Sequence, residues 1–161
     1  NHQNLPRPPP FPNFNRPQAQ NKLKRHQEIH TLWLKAAQEN SSNNKISIYD
    51  QILEIDPENV EALTYKADAA LEINEPIWAI NLCQNALKLD PENAHAFYQL
   101  AGAHALLNKI PEALNYLEKN IQLSEGSIEQ ITDDPVFSNL LDLPEFQSLL
   151  NQHLTSTTSH S

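Results

Sequence analysis

The chain has 161 residues, enough for one domain, with a formal net charge of −9, a single Cys and only two Gly. No stretch approaches the roughly 20 apolar residues that span a bilayer. One thiol can form neither an internal disulfide nor a CxxC metal site, and so acidic a body is a poor match for nucleic acid. The charge is uneven: residues 1–35 carry Arg7, Arg16, Lys22, Lys24, Arg25 and Lys35 against Glu28 alone, a net of +5, which leaves −14 on the remainder. A chain that begins at Asn1 and holds no Met is expected to lack an upstream piece, and its Cys usage leans toward the cytoplasm.

Residues 1–19 read as a basic, non-helical arm. Six of the twelve prolines fall at or before Pro17, and each lacks an amide donor and restricts the residue before it. Polyproline II is the expected local state. Phe11 and Phe14 are unfavourable to leave in water, which makes Arg7, Phe11, Phe14 and Arg16 a candidate docking set; a plain linker is the competing reading.

Helix is expected from Gln18 to Glu39, with Leu23, Ile29, Trp33, Ala36 and Ala37 on its stripe, and a loop over Asn40–Asn44. A second helix carries Ile46, Tyr49, Ile52 and Leu53 and stops at Asp56. Asp56 can then cap a third helix with Pro57 in its first turn, running to about Ile73 with Leu63, Ala67, Ala70 and Leu71 inward. Asn74-Glu75-Pro76 repeats the cap-then-proline device. The fourth helix uses Ile77, Ala79, Ile80, Cys83, Ala86 and Leu87. The fifth uses Phe97, Leu100, Ala101 and His104, and the sixth starts near Lys109-Ile110-Pro111 and uses Ala113, Leu114, Leu117 and Ile121.

Asp56-Pro57-Glu58-Asn59 recurs as Asp90-Pro91-Glu92-Asn93. The two copies are set apart by a fixed period of 34, which with two helices per unit marks stacked hairpins. Leu63, Lys66-Ala67, Ala70, Ala79, Cys83, Ala86 and Pro91, and again Phe97, Leu100-Ala101, His104, Ala113, Leu117 and Asn120, fall on the tetratricopeptide-repeat (TPR) pattern, so the chain resembles that family over about two thirds of its length. Lys66 stands where the pattern has Leu, Asn120 where it has Ala, and Lys45 replaces a small residue in a degenerate first unit. The expected architecture is all-α: a TPR-type solenoid of helical hairpins (20–57, 58–91 and 92–125), with capping helices over 126–153 and a polar tail over 154–161. The run Asp134-Pro135-Val136-Phe137 to Leu143-Pro144-Glu145-Phe146 resembles the ending of many bacterial TPR proteins. Val136, Phe137, Leu140 and Leu141 are expected on one face, with Phe146, Leu149 and Leu150 on a last short helix.

No catalytic signature is present, and no cofactor is expected. With Gly102 and Gly126 as the only glycines there is no phosphate-binding loop. His26 and His30 share a helical face without a third ligand beside them, so no metal is expected. Cys83 sits at a packing position and reads as a small hydrophobe rather than a nucleophile. Trp33 and Trp78 read as packing residues.

The resemblance implies a protein-binding module, a scaffold, adaptor or assembly factor, whose concave groove is lined by the first helix of each hairpin. Here that gives Glu61, Thr64, Tyr65, Asp68 and Glu72, then His95, Tyr98, Gln99, Gly102 and Ala105, with Gln27, His30, Thr31 and Leu34 from the first unit. TPR domains that bind chaperone tails hold a terminal carboxylate with Lys, Asn and Arg; the corresponding sites here offer Thr64, Asp68, His95 and Gln99. Like charges disfavour an acidic ligand. A basic segment with Pro or aromatic side chains fits better, since Tyr65 and Tyr98 can stack on Pro rings and guanidinium planes. The chain's own arm fits that description, which adds homo-oligomerisation through the arm to the readings, beside a regulatory TPR part of a larger enzyme.

Overall fold

The structure is a computed structural model that describes residues 17–124 and 127–158, together with Pro6 and Pro8. Three antiparallel hairpins follow one another: α1 (Pro17–Gln38) with α2 (Ser42–Ile55), α3 (Val60–Glu72) with α4 (Pro76–Leu89), and α5 (Ala94–Leu106) with α6 (Ile110–Leu123). After them come α7 (Ser127–Asp133), a 3-10 turn (Pro135–Phe137) and α8 (Pro144–Thr158), and no strand occurs among the described residues. Arg7, Phe11, Phe14 and Arg16 lie outside the described residues. Helix begins at Pro17, so residues 17–19 belong to α1 rather than to the arm; a proline in the first turn gives up no hydrogen bond.

The Asp-Pro-Glu-Asn copies join hairpin to hairpin, but their end residues do the opposite of what the sequence suggests. Asp56 and Asp90 close α2 and α4, each amide donating to a carbonyl of its own helix, Ile52 and Ala86, at 2.8 Å. Asn59 and Asn93 are the caps of α3 and α5, each side chain accepting from an amide three positions on (Ala62 and Ala96) at 2.9 Å. Pro57 therefore lies in the linking turn, outside the helix. Within a hairpin the turn depends on asparagine. Asn74 (φ 60°) and Asn108 (φ 58°), one repeat period apart, adopt the left-handed conformation. The amides of Glu75 and Lys109 then reach back to Ala70 and His104 carbonyls at 2.8 Å. This is the Schellman closure, and Asn is the residue after Gly that tolerates it best. Pro76 starts α4, while Glu75 ahead of it makes no capping bond. Ser41 caps α2, so Ser42, Asn43 and Asn44 form its first turn and the expected loop is shorter.

Alanines let the two helices of a hairpin touch. Ala67, Ala79, Ala86, Ala101 and Ala113 have no exposed surface; the first three pack with Leu63, Leu82, Cys83 and Leu100 in the central core, and Ala101 and Ala113 pack with Leu117 in the next. Some expected core positions are wet: Leu23 is 59% and Ile77 64% exposed, and Ala37 is also exposed. Trp78 lies at the surface under the Lys66 ammonium, 5.0 Å from its ring centre, and Lys66 also pairs with Asp50 at 2.5 Å. Lys66 thus ties α2, α3 and α4 together at the site where a Leu would have been buried.

The C-terminal segment closes the stack. Phe137, Leu140 and Phe146 are fully buried with Ile131 against α5 and α6, each burial contributing about 1.5–3 kcal/mol. Asp134 caps the 3-10 turn through the Val136 amide at 3.0 Å. The sequence reading misses α7, and α8 runs through Thr158, so part of the expected polar tail is helical.

Candidate functional site

Helices α1, α3 and α5 line one face of the stack, and along it lie two cavities that share Asp68 and Glu72. The first, about 450 Å³, has Trp33, Ala36 and Ala37 of α1 on one wall and Glu61, Tyr65, Asp68, Ala69 and Glu72 of α3 on the other, with Tyr49 and Lys45 of α2 below and Glu39 at the rim. Its aromatic rings form a continuous wall. Trp33 lies 5.7 Å from Tyr49 and 5.5 Å from Tyr65, Tyr49 lies 6.1 Å from Tyr65, and Tyr65 lies 6.0 Å from the His95 imidazole. Tyr65 is 46% exposed, so this wall offers ring surface to a ligand. Against it stand four carboxylates and one ammonium. Ser42 donates to the Glu72 carboxylate, and the Ser41 amide and the Asn44 side chain hold the Glu39 carboxyl below its ordinary range.

The second cavity, about 350 Å³, is bounded by Asp68, Leu71, Glu72, Tyr98, Gln99 and Gly102 and closed by Asp134, Pro135 and Val136 of the capping segment. Tyr98 donates to Asp134 at 2.5 Å and packs edge-on against Phe137 at 5.4 Å. Burial and the neighbouring Asp134 carboxylate push its phenol well above the usual tyrosine range. The 3-10 turn thus occupies the α5 end of the groove and leaves the α1–α3 end open.

A polar chain joins the two. His95 Nε2 lies 2.8 Å from both Asp68 Oδ2 and Gln99 Nε2. One ring nitrogen cannot donate to a carboxylate and accept from an amide together, and the charge-assisted bond is the stronger, which assigns His95 as donor to Asp68. Gln99, 1% exposed, donates to the Thr64 carbonyl at 2.5 Å and accepts from the Cys83 thiol at 3.3 Å. Burial pushes that thiol up to about 12, so Cys83 is inert.

Of the residues expected to line the groove, Glu61, Tyr65, Asp68 and Glu72 meet in the first cavity, and His95 stands beside them. Tyr98 and Gln99 belong to the second, both essentially buried. Thr64 is 3% exposed and its hydroxyl turns back to the Glu61 carbonyl, so it packs beneath the groove rather than facing a ligand. Gln27 and Thr31 line a different depression, on the outer side of the first hairpin. Sequence reading missed Trp33, Lys45 and Tyr49 as groove residues. Their signal is the repeat register, in which Trp33 takes the place of Ala67 and Lys45 that of Ala79, two residues that are fully buried.

His26 and His30 are exposed, and among the described residues no group of three His, Cys, Asp or Glu stands close enough to hold a metal ion. No helix among them is long and apolar enough to cross a membrane.

Stacked two-helix units with a repeat period of 34 and a groove on the first-helix face define a tetratricopeptide-repeat solenoid. Residues 38–120, just over half of the chain, match the model of the family described as anaphase-promoting complex, cyclosome, subunit 3, and the chain belongs to that family. Among solved structures it is similar to the second TPR of Spaghetti (RPAP3) bound to the HSP90 peptide SRMEEVD (26% identity, TM-score 0.57, 65% of this chain and 96% of that one). It shares its fold with MamA (19%, TM-score 0.64, 89% and 87%). It also shares it with the second TPR domain of human RPAP3 in complex with the HSP70 peptide SGPTIEEVD (21%, TM-score 0.61, 78% and 97%). No curated protein matches the chain.

Proposed function

We propose that this chain is a non-catalytic protein-interaction module whose α1–α3 cavity takes an extended segment of a partner protein, basic and carrying Pro or aromatic side chains. The observation that carries the reading is the wall of Trp33, Tyr49 and Tyr65 rings, with Tyr65 exposed and Trp33 half-exposed over the buried Tyr49, facing Glu61, Asp68 and Glu72. An arginine or lysine of the partner stacks on Tyr65 with its charge toward Asp68 and Glu72, and a neighbouring Pro or aromatic ring covers Trp33. The neighbours whose bound peptides end in EEVD support peptide capture as the mode of action. The acid-rich walls here argue for a ligand of opposite charge. The capping turn at Tyr98 and Gly102 limits that segment to the first two repeats.

Fluorescence anisotropy with a labelled Arg/Pro/Tyr peptide tests this. Tyr65→Ala is expected to weaken binding about 30-fold, the scale of an interface hot spot, and Glu72→Gln to weaken it less. Equal affinity of the native chain and Tyr65→Ala contradicts the reading.

A further inference from the structure

One ring nitrogen of His95 has two partners that make opposite demands on it. Nε2 lies 2.8 Å from Asp68 Oδ2, a carboxylate oxygen that accepts, and 2.8 Å from Gln99 Nε2, an amide nitrogen that donates. The Gln99 amide is fixed in its orientation. It is 1% exposed, its nitrogen already donates to the Thr64 carbonyl, and its oxygen accepts from the Cys83 thiol. Its second N–H is therefore directed at the imidazole and needs an acceptor there. Bonding Asp68 requires a proton on His95 Nε2; bonding Gln99 requires a bare Nε2. The ring can satisfy one of them at a time.

This conflict sits in the groove itself. Asp68 lines both cavities, and the side chains of His95 and Asp68 are 42% and 37% exposed. One repeat period earlier the same two positions hold Glu61 and Leu34, which cannot form the bond, so stacking of hairpins does not depend on it. From α3 the ring meets the Asp68 carboxylate and, at 6.0 Å, the Tyr65 ring. α4 reaches it through the Cys83 thiol behind Gln99, and α6 bonds the adjacent Ala94 carbonyl through Asn120, both neutral groups. Among the described residues, Asp68 is thus the one charged group bonded to the imidazole.

We propose that His95 competes with the ligand for Asp68 and makes capture of a basic segment depend on its proton. With the proton on Nε2 the ring occupies the carboxylate. A ligand ammonium or guanidinium that takes Asp68 leaves Nε2 to accept from Gln99: a neutral ring then carries its proton on Nδ1, and a charged ring gives one up to solvent. The doubly protonated ring has no bare nitrogen for Gln99, so it stays on Asp68 and opposes the ligand with its own charge. Affinity for a basic segment therefore rises with pH across the range in which histidine loses its charge, about pH 5 to 8. This inference rests on the reading of the α1–α3 cavity as a seat for such a segment.

Anisotropy of the labelled Arg/Pro/Tyr peptide with the full chain, at about pH 5.5 and about pH 7.5, tests it. The native chain is expected to bind about 5-fold more weakly at the lower pH, the scale of one exposed ion pair. His95→Gln keeps a polar group beside Asp68 but cannot take a charge, and is expected to lose most of that difference. On the native chain at the higher pH, the ring nitrogen shifts of His95 are expected to show the proton moving from Nε2 to Nδ1 as the peptide saturates. Equal native affinity at the two pH values, a His95→Gln chain that keeps the full difference, or a ring that retains its Nε2 proton at saturation overturns the role of His95 and leaves the ligand reading standing. Absence of binding at either pH overturns both.

Discussion

Gly102 sits in the middle of α5 and faces the capping turn. A β-carbon added there would meet Val136 Cγ1 and Cγ2 at 3.5 Å and Leu71 Cδ1 at 3.7 Å, which is ordinary van der Waals contact. Gly102→Ala should therefore fit without displacement. Alanine gains about 0.8–1.0 kcal/mol of helix propensity over glycine in a helix interior, and its methyl adds up to about 0.8 kcal/mol of burial. Part of that burial is already present in the contact between Val136 and α5, so a net gain of about 1 kcal/mol is expected. In a chain of this size that raises the thermal midpoint by about 2–4 °C. Circular dichroism melts and a urea titration measure it, and the urea slope should not change. Gly102→Leu is the counterpart: a larger side chain must push Val136 away, strip Tyr98 from Asp134 and lower the midpoint. If alanine destabilises by more than about 1 kcal/mol, the propensity term it should have gained, or leucine is neutral, then the 3-10 turn does not seat on α5 and the closed end of the groove is misassigned.

Further expectations follow from single positions. Phe137→Ala removes the fully buried anchor of the cap and should cost about 3–5 kcal/mol in urea unfolding. At Asn74 and Asn108, whose φ values are 60° and 58°, alanine should destabilise by about 1–2 kcal/mol at each site while glycine is neutral or better. Cys83, raised from 9.0 to about 12, should resist alkylation at pH 8 until the chain unfolds. An acid raised on folding contributes stability that is whole below its unfolded pKa and is lost as pH climbs through the folded one. The Cys83 contribution should therefore fade between about pH 9 and 12, and Cys83→Ala should flatten that part of the pH–stability curve. Tyr98→Phe removes a bond to a carboxylate and should cost about 1.5–3 kcal/mol, read as a lower urea midpoint.

Much of the fold was legible because one period governs it. The repeat spacing placed the alanines that let helices touch, and all five of those named are fully buried. Local chemistry was harder to read. Asp and Asn both cap helices well, and only the chain path decides that Asp56 ends one helix and Asn59 begins the next. The left-handed Asn74 and Asn108 were readable in principle, since both fall at the same register after an apolar helix. The groove was half legible. Glu61, Tyr65, Asp68 and Glu72 followed from the repeat, whereas Trp33 and Lys45 sit where the other units have alanine and so violate the pattern used to find the rest. The family resemblance, which lines the groove with the first helix of each hairpin, also puts Thr64 and Gln99 on it. Their polar atoms instead serve the core, linking Cys83 to Thr64 through Gln99. The capping turn across the α5 end had no signal in the repeat at all, since it comes from beyond the last unit.

Trp33 stands in the cavity wall and Trp78 at the surface beside Lys66, so in a Trp78→Phe chain the remaining indole reports on the groove alone. Titrating that chain with a basic Arg/Pro/Tyr peptide, and separately with an acidic peptide ending in EEVD, compares the two ligand charges directly. The account predicts a saturable change in Trp33 emission with the basic peptide, weakened by raising salt, and little response to the acidic one. Tighter binding of the acidic peptide, with Trp33 responding, would contradict it.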